Sequence, residues 1–335
     1  MTIEVRRRPN MHDVAARAGV SHQTVSRVLN GFAGIRPDTR ARVLAAIDEL
    51  GYRPNQAARA LVTSRSRTIG VLSESSAQYG PATALHALEV AARSAGYRAL
   101  VTSSTGDDES VRAGLEFLLG QSVEALVVIA SQRSIRDALA GTAVPVPMVT
   151  LDSLDDDDHD ALYVDQYEGA LLATRHLVEL GHSRILHLGG PPEWGDARAR
   201  RQAYTDVLRE AGLEPLPVLL GDWMPGAGYA AGEQFARRRP ATAVFCANDQ
   251  MALGFVHAVT AAGLSVPGDV SVVGFDDIPE AAHFLPPLTT VRQDFAELGR
   301  RAIDVLLAEL SGDREAVHAP VPARFVERAS TAPPA

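Results

Sequence analysis

Between Thr68 and Asp277, short apolar runs of strand length alternate with amphipathic stretches of helical length. The first series is TIGVLS (68–73), YRALVTS (97–103), ALVVIA (125–130) and VPMVTL (146–151), separated by segments such as ALHALEVAARSAG and SVRAGLEFLLGQ. The second is RILHLGG (184–190), PVLLGD (217–222), TAVFCAND (242–249) and VSVVGFDD (270–277). Repeated β-α units imply parallel sheets with helices on both faces. The pattern runs twice and has more strands than one small sheet holds, so it predicts an α/β core of two lobes. Ligands of such sheets bind beyond the carboxyl ends of the strands. The polar residues there, Glu74, Asp152, Asn248, Asp249, Asp276 and Asp277, are therefore functional candidates.

Ahead of this core lies HDVAARAGVSHQTVSRVLN, residues 12–30. Val14, Ala15 and Ala18 fall on one face of a first helix, and Gly19 supplies the turn because it adopts positive φ without steric cost. Ser21 is a good N-cap for a second helix, whose Val25, Val28 and Leu29 face inward. His22, Gln23, Ser26 and Arg27 are left pointing outward. A helix, a glycine turn and a short helix with Gln and Arg near its start form a helix-turn-helix. Its second element suits a major groove, where Gln pairs with adenine and Arg with guanine. Pro37 to Leu50 predicts a third helix, with Val43, Leu44, Ile47 and Leu50 inward, Pro37 at its first position and Gly51 ending it. Val14, Val25, Leu44 and Ile47 are expected at the centre of this small head. In the following YRPNQAARALVTSRSRTIG, Gln56 to Leu61 allows one and a half helical turns, too few to persist unaided.

The net charge of −9 over 335 residues disfavours nucleic acid until it is split. Residues 1–67 carry 12 arginines against five acids (Glu4, Asp13, Asp38, Asp48, Glu49), so a head of +7 sits on a body of −16. Phosphate attraction is thus concentrated at one end. No apolar run approaches the roughly 20 residues of a membrane span. Arg6, Arg7 and Arg8 lack the apolar region of a secretory signal behind them, so a cytoplasmic protein is expected. Cys246 is the single cysteine, which excludes an internal disulfide and a cysteine-based zinc site.

The segments MHDVAARAGVSHQTVSRVLN, ELGYRPNQAARAL, CANDQMALG and SVVGFDDIPEAAHFLPPLTTVRQDFAELG resemble the lactose/galactose-repressor (LacI) family of bacterial transcription regulators. The similarity runs from Met11 to Thr331 and is weakest at 104–145. It implies a helix-turn-helix head (1–53), a hinge helix and linker (54–67) and a core like the periplasmic sugar-binding proteins. The core's N-terminal lobe would be 68–163 with 293–323, its C-terminal lobe 164–290 with 324–330, and 331–335 a tail. The resemblance places His22, Gln23, Ser26 and Arg27 at base-reading positions. It places Asn30, Arg36 and Tyr52 near the DNA backbone, and Asn55, Ala58, Arg59 and Leu61 in the hinge, with Leu61 as a minor-groove wedge. His22 stands where lactose-type repressors have tyrosine, so a different operator is expected. Arg36 replaces a small capping residue, trading a cap for a phosphate contact. Matches to the effector site are Asp152, Arg200, Trp223, Asn248, Asp276 and Phe295, a set suited to hydroxyls and a sugar's apolar face. Glu74 and Gln78 join them as departures that make the pocket differently polar, Ile129 replaces an asparagine, and Glu74 and Tyr79 with Pro81 suit a larger or differently hydroxylated saccharide.

The resemblance therefore implies a homodimeric repressor of double-stranded operator DNA, governed by a small sugar or oligosaccharide, with no cofactor and no membrane partner. A corepressor such as a purine is the alternative within the family. Asp155 to Asp160 (DDDDHD) reads as a solvated acidic loop rather than a metal site. His182, Ser183 and His187 cluster around one strand and lack triad geometry, so no catalytic set is expected. Gly189-Gly190 before two prolines reads as a strand-end turn. The polar connector 311–323 precedes a last strand in ARFVERAS, and without a leucine-heptad extension after it a dimer is the expected assembly.

Overall fold

The computed structural model describes residues 9–53, 65–74, 78–130, 132–151, 161–313 and 319–335. The hinge segment Gln56–Leu61, with the candidates Asn55, Ala58, Arg59 and Leu61, lies outside them, as do Asp152 and the DDDDHD loop. The chain divides into two compact units, Met1–Ser66 and Arg67–Ala335.

The first unit holds α1 (Met11–Ala18), α2 (His22–Leu29) and α3 (Pro37–Leu50). Asn10 opens α1 with a capping box: its side chain accepts from the His12 and Asp13 N–H groups, and Asp13 returns a bond to the Asn10 N–H. All three helices end alike, in a Schellman motif with Gly19, Gly31 or Gly51 at positive φ. The residue after each glycine donates its N–H back into the helix: Val20 to Ala15, Phe32 to Arg27, Tyr52 to Ile47. This satisfies carbonyls that a helix end leaves free. The core is Val14, Ala15, Ala18, Val25, Val28, Val43, Ala46 and Tyr52. The expectation for Leu44 fails. It is 48% exposed, because α3 turns Val43 and Ala46 inward and Leu44 lies beside that stripe.

The second unit contains two four-stranded parallel sheets. The first has the order β2-β1-β3-β4, from β1 (Thr68–Glu74), β2 (Arg98–Ser104), β3 (Ala125–Ile129) and β4 (Met148–Leu151). Its helices are α4 (Tyr79–Ser94), α5 (Asp108–Gly120) and α6 (Arg133–Ala140). The second has the order β6-β5-β7-β8, from β5 (Ile185–Gly189), β6 (Leu219–Leu220), β7 (Ala243–Cys246) and β8 (Ser271–Val273). Its helices are α7 (Gln166–Glu179), α8 (Gly195–Glu210), α9 (Pro225–Arg238) and α10 (Asp249–Ala261). The chain then forms β9 (Thr290–Arg292), α11 (Phe295–Leu310), which packs on α4, and β10 (Arg324–Val326). β10 pairs antiparallel with β9, a strand the sequence did not announce. Its three residues are too few to show a period.

The central strands are buried along nearly their whole length and mostly apolar, as coverage of both faces demands; Ser73, Glu74 and His187 are the buried polar exceptions. The edge strands depart from expectation. β2 is buried only at Ser104, with Val101 37% exposed, and β6 shrinks to two residues. Among the described residues, no helix is long and apolar enough to cross a membrane.

Candidate nucleic-acid interface and ligand cleft

On α2, Ser21 caps the helix by accepting the Thr24 N–H at 3.1 Å. Val25 and Val28 anchor the inner face, while His22, Gln23 and Arg27 are exposed. The His22 ring stacks on that of His12 from α1, with centroids 4.7 Å apart and planes 24° from parallel. The Arg27 guanidinium carbon lies 5.6 Å from the centre of the Phe32 ring. Asn30 is the C-cap of α2, and its side-chain amide approaches the Ser26 hydroxyl at 3.4 Å. Arg36 occupies the N-cap of α3 without a side-chain cap bond, so the expected loss of capping is present. Tyr52 is buried in the head core and packs the head.

Two adjoining hollows lie beyond the carboxyl ends of the sheets. One, of about 310 Å³, is lined by Gln78, Tyr79, Gly80 and Pro81 at the start of α4, then by Trp194, Asp196, Arg200, Trp223, Asn248, Asp276 and Gln293. The other, of about 420 Å³, is mostly apolar, with Pro81, Ala84, Ile129, Leu151, Leu162 and Phe295 beside Gln166, Asp196 and Gln293. Their walls come from elements of both sheets.

Arg200 organises the polar hollow. Its Nε and Nη2 donate to Gln166 Oε1 at 3.0 and 2.7 Å, and its Nη1 donates to the Ala247 carbonyl at 2.5 Å. The guanidinium carbon sits 3.8 Å from the centre of the Phe275 ring and 5.6 Å from that of Trp223. Nη2 is also 3.7 Å from both Asp196 and Asp276. Asp276, at φ +108°, accepts from the Gln293 amide at 2.7 Å. Burial pushes its carboxyl up to about 6, against the pull of Arg200 and Gln293. Trp223 stands edge-on to Trp194 with centroids 5.8 Å apart. A Cβ on Gly190 would overlap the Trp223 ring, so only glycine lets the indole lie there. Among the described residues the buried Trp223 Nε1 has no hydrogen-bond partner.

Tyr79 and Phe295 meet edge to face at 6.2 Å, linking α4 to α11 at the apolar hollow. Asn248 lines the polar hollow and caps α10, accepting the Met251 N–H at 2.9 Å and donating to the Trp223 carbonyl at 3.0 Å. Glu74 lines neither hollow. Its buried carboxylate accepts the Gln132 N–H at 3.0 Å, and burial lifts it to about 7. Asp249 and Asp277, also candidates by position, are turned to structural work. Asp249 accepts from the Thr290 hydroxyl at 2.6 Å and the Ile278 N–H at 2.9 Å. Asp277 is paired with Arg292 and Arg328, each at 2.6 Å.

The sequence reading missed Trp194, Asp196, Gln166 and Gln293. The first two follow β5, so the strand-end rule that found Asp276 would have reached them. Gln166 and Gln293 meet at 2.8 Å across 127 residues of chain, and no local signal marks them. His187 is buried between Tyr204 and Phe245, at 5.1 and 4.8 Å. His182 bonds to Thr242 and the Ala332 carbonyl. Among the described residues no group of three or more His, Cys, Asp or Glu could hold a metal.

The head matches the profile of the bacterial regulatory proteins of the lacI family over residues 10–55. Residues 174–331 match a periplasmic binding protein-like domain. The chain is 35% identical over 329 residues to the lactose operon repressor of Escherichia coli (strain K12), covering 97% of this chain and 91% of that protein. It is 37% identical over 329 residues to the HTH-type transcriptional repressor PurR of Proteus mirabilis, covering 96% of each. The structure of the lac repressor dimer bound to operator and the anti-inducer ONPF superposes with a TM-score of 0.89 at 34% identity, over 97% of this chain and all of that one. A three-helix head followed by a periplasmic-binding-protein-like core is thus joined to sequence identity along nearly the whole length, and the chain belongs to the lacI family of bacterial regulatory proteins.

Proposed function

We propose that the chain is a dimeric, cytoplasmic repressor that releases or holds its operator according to a small saccharide bound between its core lobes. The observation that carries this reading is the buried Arg200–Asp276 pair beside Trp223, in a hollow whose walls come from both sheets. Asp276 and Asp196 offer acceptors to hydroxyl groups, Arg200 is the fixed cation between them, and Trp194 and Trp223 provide apolar faces for a ring. Asn248 completes the polar set, with Gln78, Tyr79 and Phe295 on the other wall; Asp152, outside the described residues, is assigned to the set by the family resemblance alone.

The head would read the major groove with His22, Gln23, Ser26 and Arg27, steadied on the backbone by Asn30 and Arg36. Two hinges, carrying Asn55, Ala58, Arg59 and Leu61, would order together in the minor groove. The lobe division follows the family's, at 163/164, 290/293 and 323/324. An effector that favours one lobe arrangement shifts the dimer towards it, and only differential affinity does so. A coupling of about 5- to 150-fold in operator affinity is ordinary for such a device. The protein performs no turnover in this role.

The test is a thermal-shift screen of the full-length protein against mono- and oligosaccharides, followed by operator binding with and without each hit. A saccharide that raises the melting point and weakens operator binding is the expected result. Operator binding that tightens with ligand would replace induction by corepression. Steady release of sugar from candidate glycosides would replace regulation by catalysis.

A further inference from the structure

The three Schellman motifs of the head do not bury the same kind of residue. In this motif the side chain after the glycine leans against the residue that receives its N–H. Val20 and Tyr52 follow that pattern into the head core. Phe32 does not: it is 54% exposed, and the residue that receives its N–H, at 3.0 Å, is Arg27. The ring therefore lies against a guanidinium, 5.6 Å from centre to Cζ, where the other two motifs have an apolar contact. The loop is held from a second side, because Arg40 Nη2 donates to the Phe32 carbonyl at 2.9 Å. It is also open enough for the ring: a Cβ on Gly34 would fall 2.7 Å from Phe32 Cε1.

We infer that Phe32 is a positioning residue for base reading: its ring fixes the Arg27 guanidinium by a cation-π contact before DNA arrives. An exposed arginine loses several rotatable bonds' worth of freedom when it docks on a base edge, and a side chain already held in place loses less. The cation-π attraction suits the task because it orients the guanidinium without using its N–H donors. Those donors stay available for the bidentate pattern that guanine presents. The inference rests on the reading of the head as a sequence-specific DNA binder and adds a determinant that lies outside the recognition helix.

The experiment uses full-length protein. An operator is first selected by the wild type from a pool of randomised duplexes. Phe32→Ala, Phe32→Leu and Phe32→Trp are then measured on that duplex and on random duplex across a salt series, with Phe32→Ala repeated in an Arg27→Ala background. Phe32→Ala and Phe32→Leu should lose roughly three- to ten-fold on the selected operator and little on random DNA. They should relax the preference at the base pair read by Arg27 and leave the salt slope unchanged. Phe32→Trp should retain wild-type selectivity, and Phe32→Ala should add nothing once Arg27 is gone.

Wild-type selectivity in Phe32→Ala would overturn the proposal, as would full retention by Phe32→Leu, which keeps apolar bulk without a π face. Equal losses on operator and random duplex with a shallower salt slope would mean that Phe32 holds Arg27 against a phosphate rather than a base edge, and would overturn the proposal. A wild type that enriches no sequence would overturn the DNA-reading function itself, and this role with it.

Discussion

Arg200 Nη2 stands 3.7 Å from Asp276 Oδ1, both side chains are buried, and yet Asp276 remains harder to ionise than a free carboxyl, at about 6. The guanidinium is committed elsewhere, to Gln166, the Ala247 carbonyl and Asp196, so it only partly offsets the loss of water around Asp276. Removing one member of a buried ion pair typically costs about 3–5 kcal/mol, because the other is left uncompensated. Arg200→Ala should therefore lower the melting point of the core as well as abolish the effector response. Asp276→Asn is the cleaner probe. The amide keeps a contact with Gln293, so the variant should fold and bind operator normally while needing at least ten-fold more effector. A normal effector response in Asp276→Asn, read by operator release, would place the ligand elsewhere.

Two buried groups bend the pH dependence of stability in opposite directions. Glu74 is lifted to about 7 chiefly by burial, with Asp196 adding to the rise. Its contribution is full below its ordinary value near 4.5 and is lost as pH rises through 7. His187 is lowered to about 4 by complete burial. Its contribution is full above 6.5 and is lost as pH falls towards 4. Each amounts to at most about 3 kcal/mol. Denaturant melts between pH 4 and 8 should show Glu74→Gln flattening the decline on the alkaline side. His187→Gln should flatten it on the acid side. Unchanged slopes in both variants would mean that neither group titrates on unfolding in this range.

Gly190 is the residue on which Trp223 rests. A methyl group there overlaps the indole, and the ring is also held through the Trp223 carbonyl, which accepts from Asn248. Gly190→Ala should swing the indole into the polar hollow and weaken effector binding at least ten-fold, with operator affinity in the absence of effector unchanged. Calorimetric titration with a saccharide hit checks the first part, and operator titration the second. Full effector affinity in this variant would remove Trp223 from the binding wall.

The strands and helices were legible wherever periodicity had room to show. β1, β3, β5 and β7 are central and mostly apolar, so their runs stand out. β6 and β9 have two and three residues, too short for any period, and β9 is defined by its pairing with β10 and a single bridge to Asp276. In the site, the strand-end rule reached Asp276 but also brought in Asp249 and Asp277, whose partners Thr290, Arg292 and Arg328 come from the end of the chain. Glu74 was drawn in for the same reason and is screened by Gln132. Position relative to a sheet is local information, whereas what these carboxylates face is settled by segments 15 to 58 residues away. The same holds for Leu44. Its spacing permits two faces, and only the packing of α1 and α2 against Val43 and Ala46 selects one.

Arg36 separates the stability of the head from its affinity for DNA. It sits at the N-cap of α3 with a backbone that would suit a capping serine, φ −56° and ψ 138°, but its side chain makes no cap bond. Its carbonyl already accepts from the Thr39 and Arg40 N–H groups, and Pro37 has no N–H to satisfy. Among the described residues the first-turn donor without a backbone acceptor is the Asp38 N–H, which a serine hydroxyl can cap and a guanidinium, having no acceptor, cannot. Arg36→Ser should therefore stabilise α3 by about 1 kcal/mol, seen as slower amide hydrogen exchange along Pro37–Leu50 in the full-length protein. The same substitution removes a positive charge from the basic head. Operator affinity should fall on all sequences alike, and the slope of log affinity against log salt should become shallower by about one unit. Slower exchange with an unchanged salt slope would keep the capping argument and exclude Arg36 from phosphate contact. A shallower slope with unchanged exchange would mean that the end of α3 is held by packing, with the cap contributing little. Gain in one measurement and loss in the other is the expected pair, because the residue that DNA attracts is one that the helix would not choose.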